Sequence, residues 1–478
     1  MSPRVILLIA FAHVSVINYA FGLVAARLLA PGDFGLLAFA QTVLLVAGLV
    51  LNSGFARALA VALVKVQGPR QGALIRGAIV ANLALACGLS LIIILLFVLG
   101  PLKPGFETGT TTALVALTLP VLAFEAIVAA AAQGTARFGA MALTAVVEVA
   151  GKAIGGIAFV YAGFGAAGAV AGFLVGALIS SAVGLWILLR VLGVRPWGVG
   201  ERSSLRVAQD MFGATLGLAL LLNLDLFAVK LFSGSDRAIA GAYQASSVLA
   251  TTPYYLAAAL VPILFTQVAR VERLALTGTL VAEAVRLTLL VLIPIELVLV
   301  TAPELALGVL FRRAYTIGAP ALPALAAGNG AIILVLVLST AFQATTRGRV
   351  PARILFSVTA CEALALRVIV PIWRAEGAAA TFLAATAVTL ALLAHAYARE
   401  LGWTIGWPAV RWLGRYSIAL ASGLLVETCV LRVGHNSVGA VGLGGICYLG
   451  AVVLLGLSPI AALGAHPGAL RRASAAGE

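Results

Sequence analysis

The residues with chemistry to offer lie inside long apolar runs, where charge is costly. Arg57, Lys152, Arg286 and Arg367 are bases in such runs, and Glu125, Glu148, Asp225, Glu283, Glu296, Glu362 and Glu427 are acids in the same setting. A charge at the centre of a membrane helix costs about 2.5–3.5 kcal/mol on insertion scales and tends to persist where it lines a wet cavity or meets a partner. The bases are candidates for holding an anionic ligand, since a guanidinium fork matches phosphate oxygens bidentately. Among the acids, Asp225 and Glu125 are the candidates for a coupling carboxylate. Asp225 has no charged residue three or four positions away, and a purely structural hydrogen-bonding role fits it equally well.

Some of these charges have partners close by in sequence. Glu148 and Lys152 are four residues apart and Glu283 and Arg286 three apart, spacings at which they can neutralise one another on a helix. Arg57 stands about seven residues from the end of its run, about 10 Å along a helix, so it can also snorkel to an interface. Arg367 is nearer mid-run, and its closest acid, Glu362, is five residues back and off its face. That makes Arg367 the strongest phosphate-binding candidate. Arg27 and Lys230 end their runs, and read either as snorkelling anchors or as two equivalent cations at a cavity mouth.

No catalytic constellation accompanies these charges. His13, His395, His435 and His466 are scattered, Cys87, Cys361, Cys429 and Cys447 all fall in apolar runs, and nothing has metal-ligand spacing. Neither a nucleophile elbow nor a phosphate-binding loop is present. The reading is a non-enzyme without cofactor or metal.

The elements that position these residues follow from composition. Of 478 residues, 62% are hydrophobic and 10% charged, against about 25% charged in a soluble domain. Runs such as LALACGLSLIIILLFVLG (83–100) are as long as a bilayer is thick. The fold class is therefore an all-α polytopic membrane protein. Arg4 followed by VILLIAFA has the flavour of a secretory leader, but the run continues to about residue 28 and reads as a first spanning segment. Fourteen segments are expected: 5–28, 36–63, 77–100, 111–132, 140–161 and 166–190; then 211–232, 238–266, 279–302, 320–343, 352–373 and 376–398; then 415–432 and 438–458. Gly168, Gly172 and Gly176, spaced by four, predict one smooth packing face. With the N-terminus inside, the cytoplasmic segments hold about 19 Lys and Arg and the opposite side about 8, so both termini are expected in the cytoplasm. That asymmetry accounts for most of the net charge of +14 without nucleic acid.

The first six segments look like a duplicate of the next six. RLLAPGD (27–33) lines up with KLFSGSD (230–236) at an offset of 203, and Asn18 is nearly matched by Asn223. After the aspartates, FGLLAFAQ and AIAGAYQA each give a glycine, then an aromatic, then a glutamine; Gln-x-Thr-x-Arg recurs at 133–137 and 343–347. Asp33 and Asp236 are expected to cap the helices that follow them. An even number of segments per copy makes the repeat parallel, and such repeats place a substrate site near the midplane between the copies. The expected organisation is an N-lobe (1–193), a cytoplasmic linker (194–210), a C-lobe (211–400) and a final helix pair with its tail (401–478).

ARLLAPGDFGLLAFAQTVLLVAGLVLNSGFARALA (26–60) resembles the N-terminal signature of the polysaccharide and O-antigen flippases of the multidrug/oligosaccharidyl-lipid/polysaccharide exporter superfamily. NLDLFAVKLFSGSDRAIAGAYQAS (223–246) is similar to their seventh helix and the start of the eighth, one residue shorter than their pattern, and QATTRGR (343–349) to the end of their tenth. The resemblance implies a two-lobed, alternating-access flippase of the bacterial inner membrane. Its substrate would be a polyprenyl-pyrophosphate-linked oligosaccharide for O-antigen or exopolysaccharide synthesis, its cavity mostly cationic, and its partners a polysaccharide polymerase and glycosyltransferases. A multidrug antiporter of the same superfamily is the alternative, and would favour an acidic cavity and twelve helices.

Overall fold

In the computed structural model the chain is a bundle of long helices. It describes residues 3–66, 68–99, 109–194, 216–232, 237–254, 274–344, 349–401, 407–434 and 437–455. The reason is the solvent: in hydrocarbon every backbone donor and acceptor has to be satisfied within the protein, and a helix does so within one segment. The helices are α1 (Pro3–Leu28), α2 (Pro31–Ser53), α3 (Phe55–Lys65), α4 (Pro69–Ile94), α5 (Gly109–Gly134), α6 (Phe138–Phe159), α7 (Gly165–Trp186), α8 (Leu224–Phe232), α9 (Arg237–Ala250), α10 (Leu274–Thr301), α11 (Pro303–Leu310), α12 (Leu322–Ala344), α13 (Arg349–Leu401), α14 (Trp407–Gly434) and α15 (Ser437–Leu454). Proline opens α2, α4 and α11, where its missing N–H costs nothing and its fixed φ suits the first turn.

Where the expected segments fall on described residues they are mainly helical; the seventh is described from residue 216 and breaks in a turn at 222–223, the eighth is described to residue 254 and the fourteenth to residue 455. Two boundaries differ in ways that matter. The second segment starts at Pro31 and is interrupted at Gly54, so Arg57 becomes the third residue of the short helix α3 instead of lying inside an unbroken span. Asp33 correspondingly sits in the first turn of α2, whose N-cap residue is Ala30 and has no side-chain cap bond. Asp33 therefore complements the helix dipole without capping the helix; Asp236 lies outside the described residues. Segments eleven and twelve are one element, α13, bent at Arg374, a non-glycine with φ of 46°. The 194–210 linker lies almost wholly outside the described residues, as does the turn at 345–347.

Packing follows the small residues. A methyl on Gly172 would press into the Gly156 backbone, and one on Gly176 would come within 2.7 Å of the Lys152 amide nitrogen. The glycine stripe thus lets α7 lie directly against α6, along the turns that carry Glu148 and Lys152. Phe21 of α1 packs on Gly156 from another side. Buried polar side chains tie α4 to α5: Asn82 Nδ2 donates to the Ala123 carbonyl at 2.9 Å and Ser90 Oγ to that of Ala116 at 2.7 Å. The last pair, α14 and α15, packs on α10, where Tyr416 donates to the Leu289 carbonyl (2.8 Å) and Thr301 to Glu427 (2.5 Å).

Candidate functional site

A cavity of about 740 Å³ runs between α1, α2, α5, α6 and α7 of the N-terminal half and the chain around α8 and α9 of the C-terminal half. Along α2 its lining extends from Phe34 to Asn52, or about 27 Å at 1.5 Å per residue. Polar side chains from both halves meet there. Asn18 and Asn223 both line it, and so do Gln41 and Gln244; these are the pairs that the offset of about 203 sets opposite one another.

Among the described residues, three carboxyl or amine side chains line the cavity: Glu125, Glu148 and Lys152. Lys152 is 6% exposed. Its ammonium donates to Asn18 Oδ1 and sits 4.9 Å from the Phe173 ring centre and 5.4 Å from that of Phe21, an arrangement in which the ring quadrupoles attract the cation. Glu148, one turn back on α6, is its charged neighbour. Glu125 on α5 accepts from Ser180 Oγ at 2.6 Å, and Glu148 is its close acidic neighbour. Three helices, α5, α6 and α7, therefore converge on one buried charge cluster facing the cavity.

Four of the other expected residues are placed outside this lining. Asp225 is buried behind the lining, where Tyr243 Oη donates to it at 2.6 Å and Glu362 is a close acidic neighbour. Arg367 is exposed on α13, its guanidinium 5.2 Å from the Phe232 ring centre. Arg286 is half-buried on α10, Lys230 is buried in the last turn of α8, and Arg57 has its backbone in the first turn of α3. Asp225, Arg367, Arg286 and Lys230 are not in the described lining, and the Arg57 side chain lies outside the described residues; the described lining holds one base and two acids where a mostly cationic cavity was expected.

At the Arg27 end the two halves touch. Arg27 Nε donates to the Leu310 carbonyl at 3.2 Å and Nη2 to that of Val309 at 3.3 Å, so a base at the end of α1 serves the carbonyls that end α11. Tyr315 Oη donates to the Leu29 carbonyl at 3.3 Å. Phe34 meets Tyr315 edge-on at 5.7 Å and Phe311 at 6.4 Å, and Phe39 meets Phe227 at 4.8 Å. Sequence reasoning named Arg27 but missed its receptor, because nothing in residues 303–315 marks their carbonyls as a docking site. It missed Asn18 as Lys152's partner for a similar reason: the two are 134 positions apart.

A sequence model for polysaccharide biosynthesis proteins matches residues 24–319. The chain belongs to the polysaccharide biosynthesis protein family. No curated protein matches it by sequence. Among solved structures it is similar to the lipid II flippase MurJ in its inward closed conformation, with a TM-score of 0.69 at 14% identity over 93% of this chain and 98% of that one. It is also similar to an inward-facing multidrug resistance transporter of the MATE family of the MOP superfamily, with a TM-score of 0.62 at 14% identity over 84% and 98%. An outward-facing structure from that family gives 0.57 at 14% identity over 84% and 98%. At such identities the likeness is one of fold. It makes this family member a multi-pass membrane protein with the fold of flippases and transporters.

Proposed function

We propose that this protein is an alternating-access flippase that moves a polyprenyl-pyrophosphate-linked oligosaccharide from the cytoplasmic to the periplasmic leaflet of the inner membrane, for O-antigen or exopolysaccharide synthesis. The observation that carries the reading is the cavity between the halves. Its volume falls in the range of about 300–1,000 Å³ typical of small-molecule sites, room for a head group of several sugars. Its amides, Asn18, Gln41, Asn223 and Gln244, both donate and accept, as sugar hydroxyls require. In this reading Lys152 takes a phosphate oxygen. Arg57, Arg286 and Arg367 are further bases along the route, and Arg27 and Lys230 are equivalent cations of a duplicated fold, residues 1–193 and 211–400.

The Arg27 end is then periplasmic and closed, both termini are cytoplasmic, and the cavity loads from the cytoplasmic side. Asp225 and Glu125 are proposed to couple the cycle to an ion or proton gradient, and a polymerase and glycosyltransferases are its expected partners. The test is reconstitution: liposomes holding the protein and the lipid-linked oligosaccharide in one leaflet, with a lectin reporting its arrival in the other. No transfer above protein-free liposomes would refute the proposal. The presence of Glu125 and Glu148 in the cavity favours a second reading, a cation-exporting drug antiporter. Proton-driven efflux of a cationic dye from the same liposomes, without transfer of the lipid, would establish that one instead.

A further inference from the structure

Arg70, Arg76 and Arg190, bases that the transport reading does not use, head a furrow on the outer side of α5, away from the cavity. At 3.6 residues per turn, the cavity-lining Thr118, Leu122, Glu125 and Ala129 share one side of α5. α4 and α7 clasp it on two other sides. Asn82 of α4 donates to the Ala123 carbonyl, Ser181 of α7 donates to that of Val121 at 3.3 Å, and Gly184 of α7 packs on Val128. Between those contacts runs a strip with Leu117 exposed and Phe124 half-buried. It is the floor of the furrow, and α4 and α7 are the walls. Each wall presents an apolar stripe that ends in a base, since residues four apart share a helix face. Along α4, Arg76 is followed at four-residue steps by Val80 and Ala84, both exposed. Along α7, exposed Leu178, Ala182 and Trp186 run at the same step to exposed Arg190, in the π-helical turn Ile187–Val191. The two bases converge at Gly72, where an added methyl would lie 3.3 Å from Arg76 Nη1 and 3.7 Å from Val194 Cγ1. The chain just past Arg190 thus packs where the Arg76 guanidinium reaches back to the first turn of α4, the turn that also carries exposed Arg70.

The charge at this end is one-signed by composition. Residues 34–106 and 149–200 contain no Asp or Glu, and in the linker that follows, Glu201 and Asp210 are matched by Arg202 and Arg206. We infer that the furrow holds an anionic diacyl phospholipid, with its phosphate on Arg70, Arg76 and Arg190 and its acyl chains along the two stripes. Apolar walls that meet at bases fit a double-chain lipid with a charged head. Bases at the membrane boundary attract anionic lipid by about fivefold in affinity each, and guanidinium forks match phosphate oxygens. Trp186, one turn from Arg190, is the aromatic expected at head-group level. Because α5 stands between the furrow and the cavity, this lipid is a resident of the bilayer and not cargo, whatever the cavity carries.

The experiment uses the full-length protein in phosphatidylcholine nanodiscs doped with a small fraction of a photoactivatable lipid. That lipid is phosphatidylglycerol or phosphatidylcholine, each with a diazirine in one acyl chain, and the crosslinks are mapped by peptide mass spectrometry. Phosphatidylglycerol is expected to label residues 77–91 and 178–189 at least about tenfold more than phosphatidylcholine does. In the triple variant Arg70→Gln, Arg76→Gln, Arg190→Gln the ratio should fall to about twofold or less. Equal labelling of the unmodified protein by the two lipids would overturn the inference, whether or not the variant folds. An unchanged ratio in a folded variant would overturn the assignment to these bases. Loss of the preference in excess inorganic phosphate would make this a free-anion site. Displacement of phosphatidylglycerol by polyprenyl pyrophosphate would make it a station for cargo. Either result would overturn the phospholipid as occupant.

Discussion

Gly35 and Gly241 pack backbone to backbone: a methyl on Gly35 would lie 2.7 Å from the Gly241 amide nitrogen, and one on Gly241 would fall onto the Pro31 carbonyl oxygen. Each is the glycine that precedes an aromatic and a glutamine on its own helix. The crossing of α2 and α9 thus brings the starts of two helices together, one from each half of the chain, beside the Arg27, Phe34 and Tyr315 contacts.

The crossing predicts a gate that one side chain can open. Overpacking of this kind costs about 1–3 kcal/mol, enough to move a two-state equilibrium by about five- to 150-fold. Gly241→Leu is expected to leave the protein inserted and to raise labelling of a cysteine placed at Phe34 by a membrane-impermeant maleimide added from the periplasm. Unchanged labelling in a well-expressed variant would show that this contact does not gate access.

Lys152 and Glu148 should behave as a unit. Lys152→Met leaves buried acids without their base, and breaking a buried pair costs about 3–5 kcal/mol, so abundance should fall along with transport. Adding Glu148→Gln should restore abundance without restoring transport. Recovery of both by the double variant would mean that the lysine serves only local neutralisation.

The placement of Arg367 over Phe232, outside the described lining, predicts a graded result. An exposed cation–π contact is worth about 0.5–1 kcal/mol, so Arg367→Ala should reduce flipping severalfold at normal abundance and less than Lys152→Met, Glu148→Gln does. A complete loss for Arg367→Ala, measured per unit of membrane protein, would reverse that ranking.

Asp225 separates a coupling role from a structural one. Asp225→Asn keeps an acceptor for Tyr243 Oη, so the fold should survive; the proposed coupling predicts that downhill flipping persists while acceleration by an imposed ion gradient disappears. Tyr243→Phe leaves the buried carboxyl without its side-chain donor and should destabilise the protein by about 1–3 kcal/mol, read as a lower melting temperature in detergent. If Asp225→Asn keeps its full response to the gradient, the residue is structural.

Orientation is tested without reference to transport. A reporter enzyme active only in the periplasm, fused after Glu478, should be silent, because the Lys and Arg bias between the loops is more than two to one. Strong activity would invert the proposed direction of movement.

The membrane class, the helical character of the apolar runs and the spacing of the polar pairs were legible in the sequence, since each follows from local chemistry. An apolar run of spanning length has to be helical, and Asn18 with Asn223 and Gln41 with Gln244 keep their spacing whatever the packing. The partner of each charge was a different matter. Glu148 and Lys152 could be paired because one helical turn separates them, yet Asn18, Ser180 and the two phenylalanines around that cluster come from other helices. The same four-residue logic could say nothing about Arg27, whose acceptors lie more than 280 positions away, or about Asp225, whose donor is the side chain of Tyr243 on the next helix. Which charges face the cavity and which face a neighbour depends on how each helix is rotated about its axis. Tertiary packing sets that rotation, as when the glycines of α7 let it settle against α6 and when α2 crosses α9 at Gly35 and Gly241.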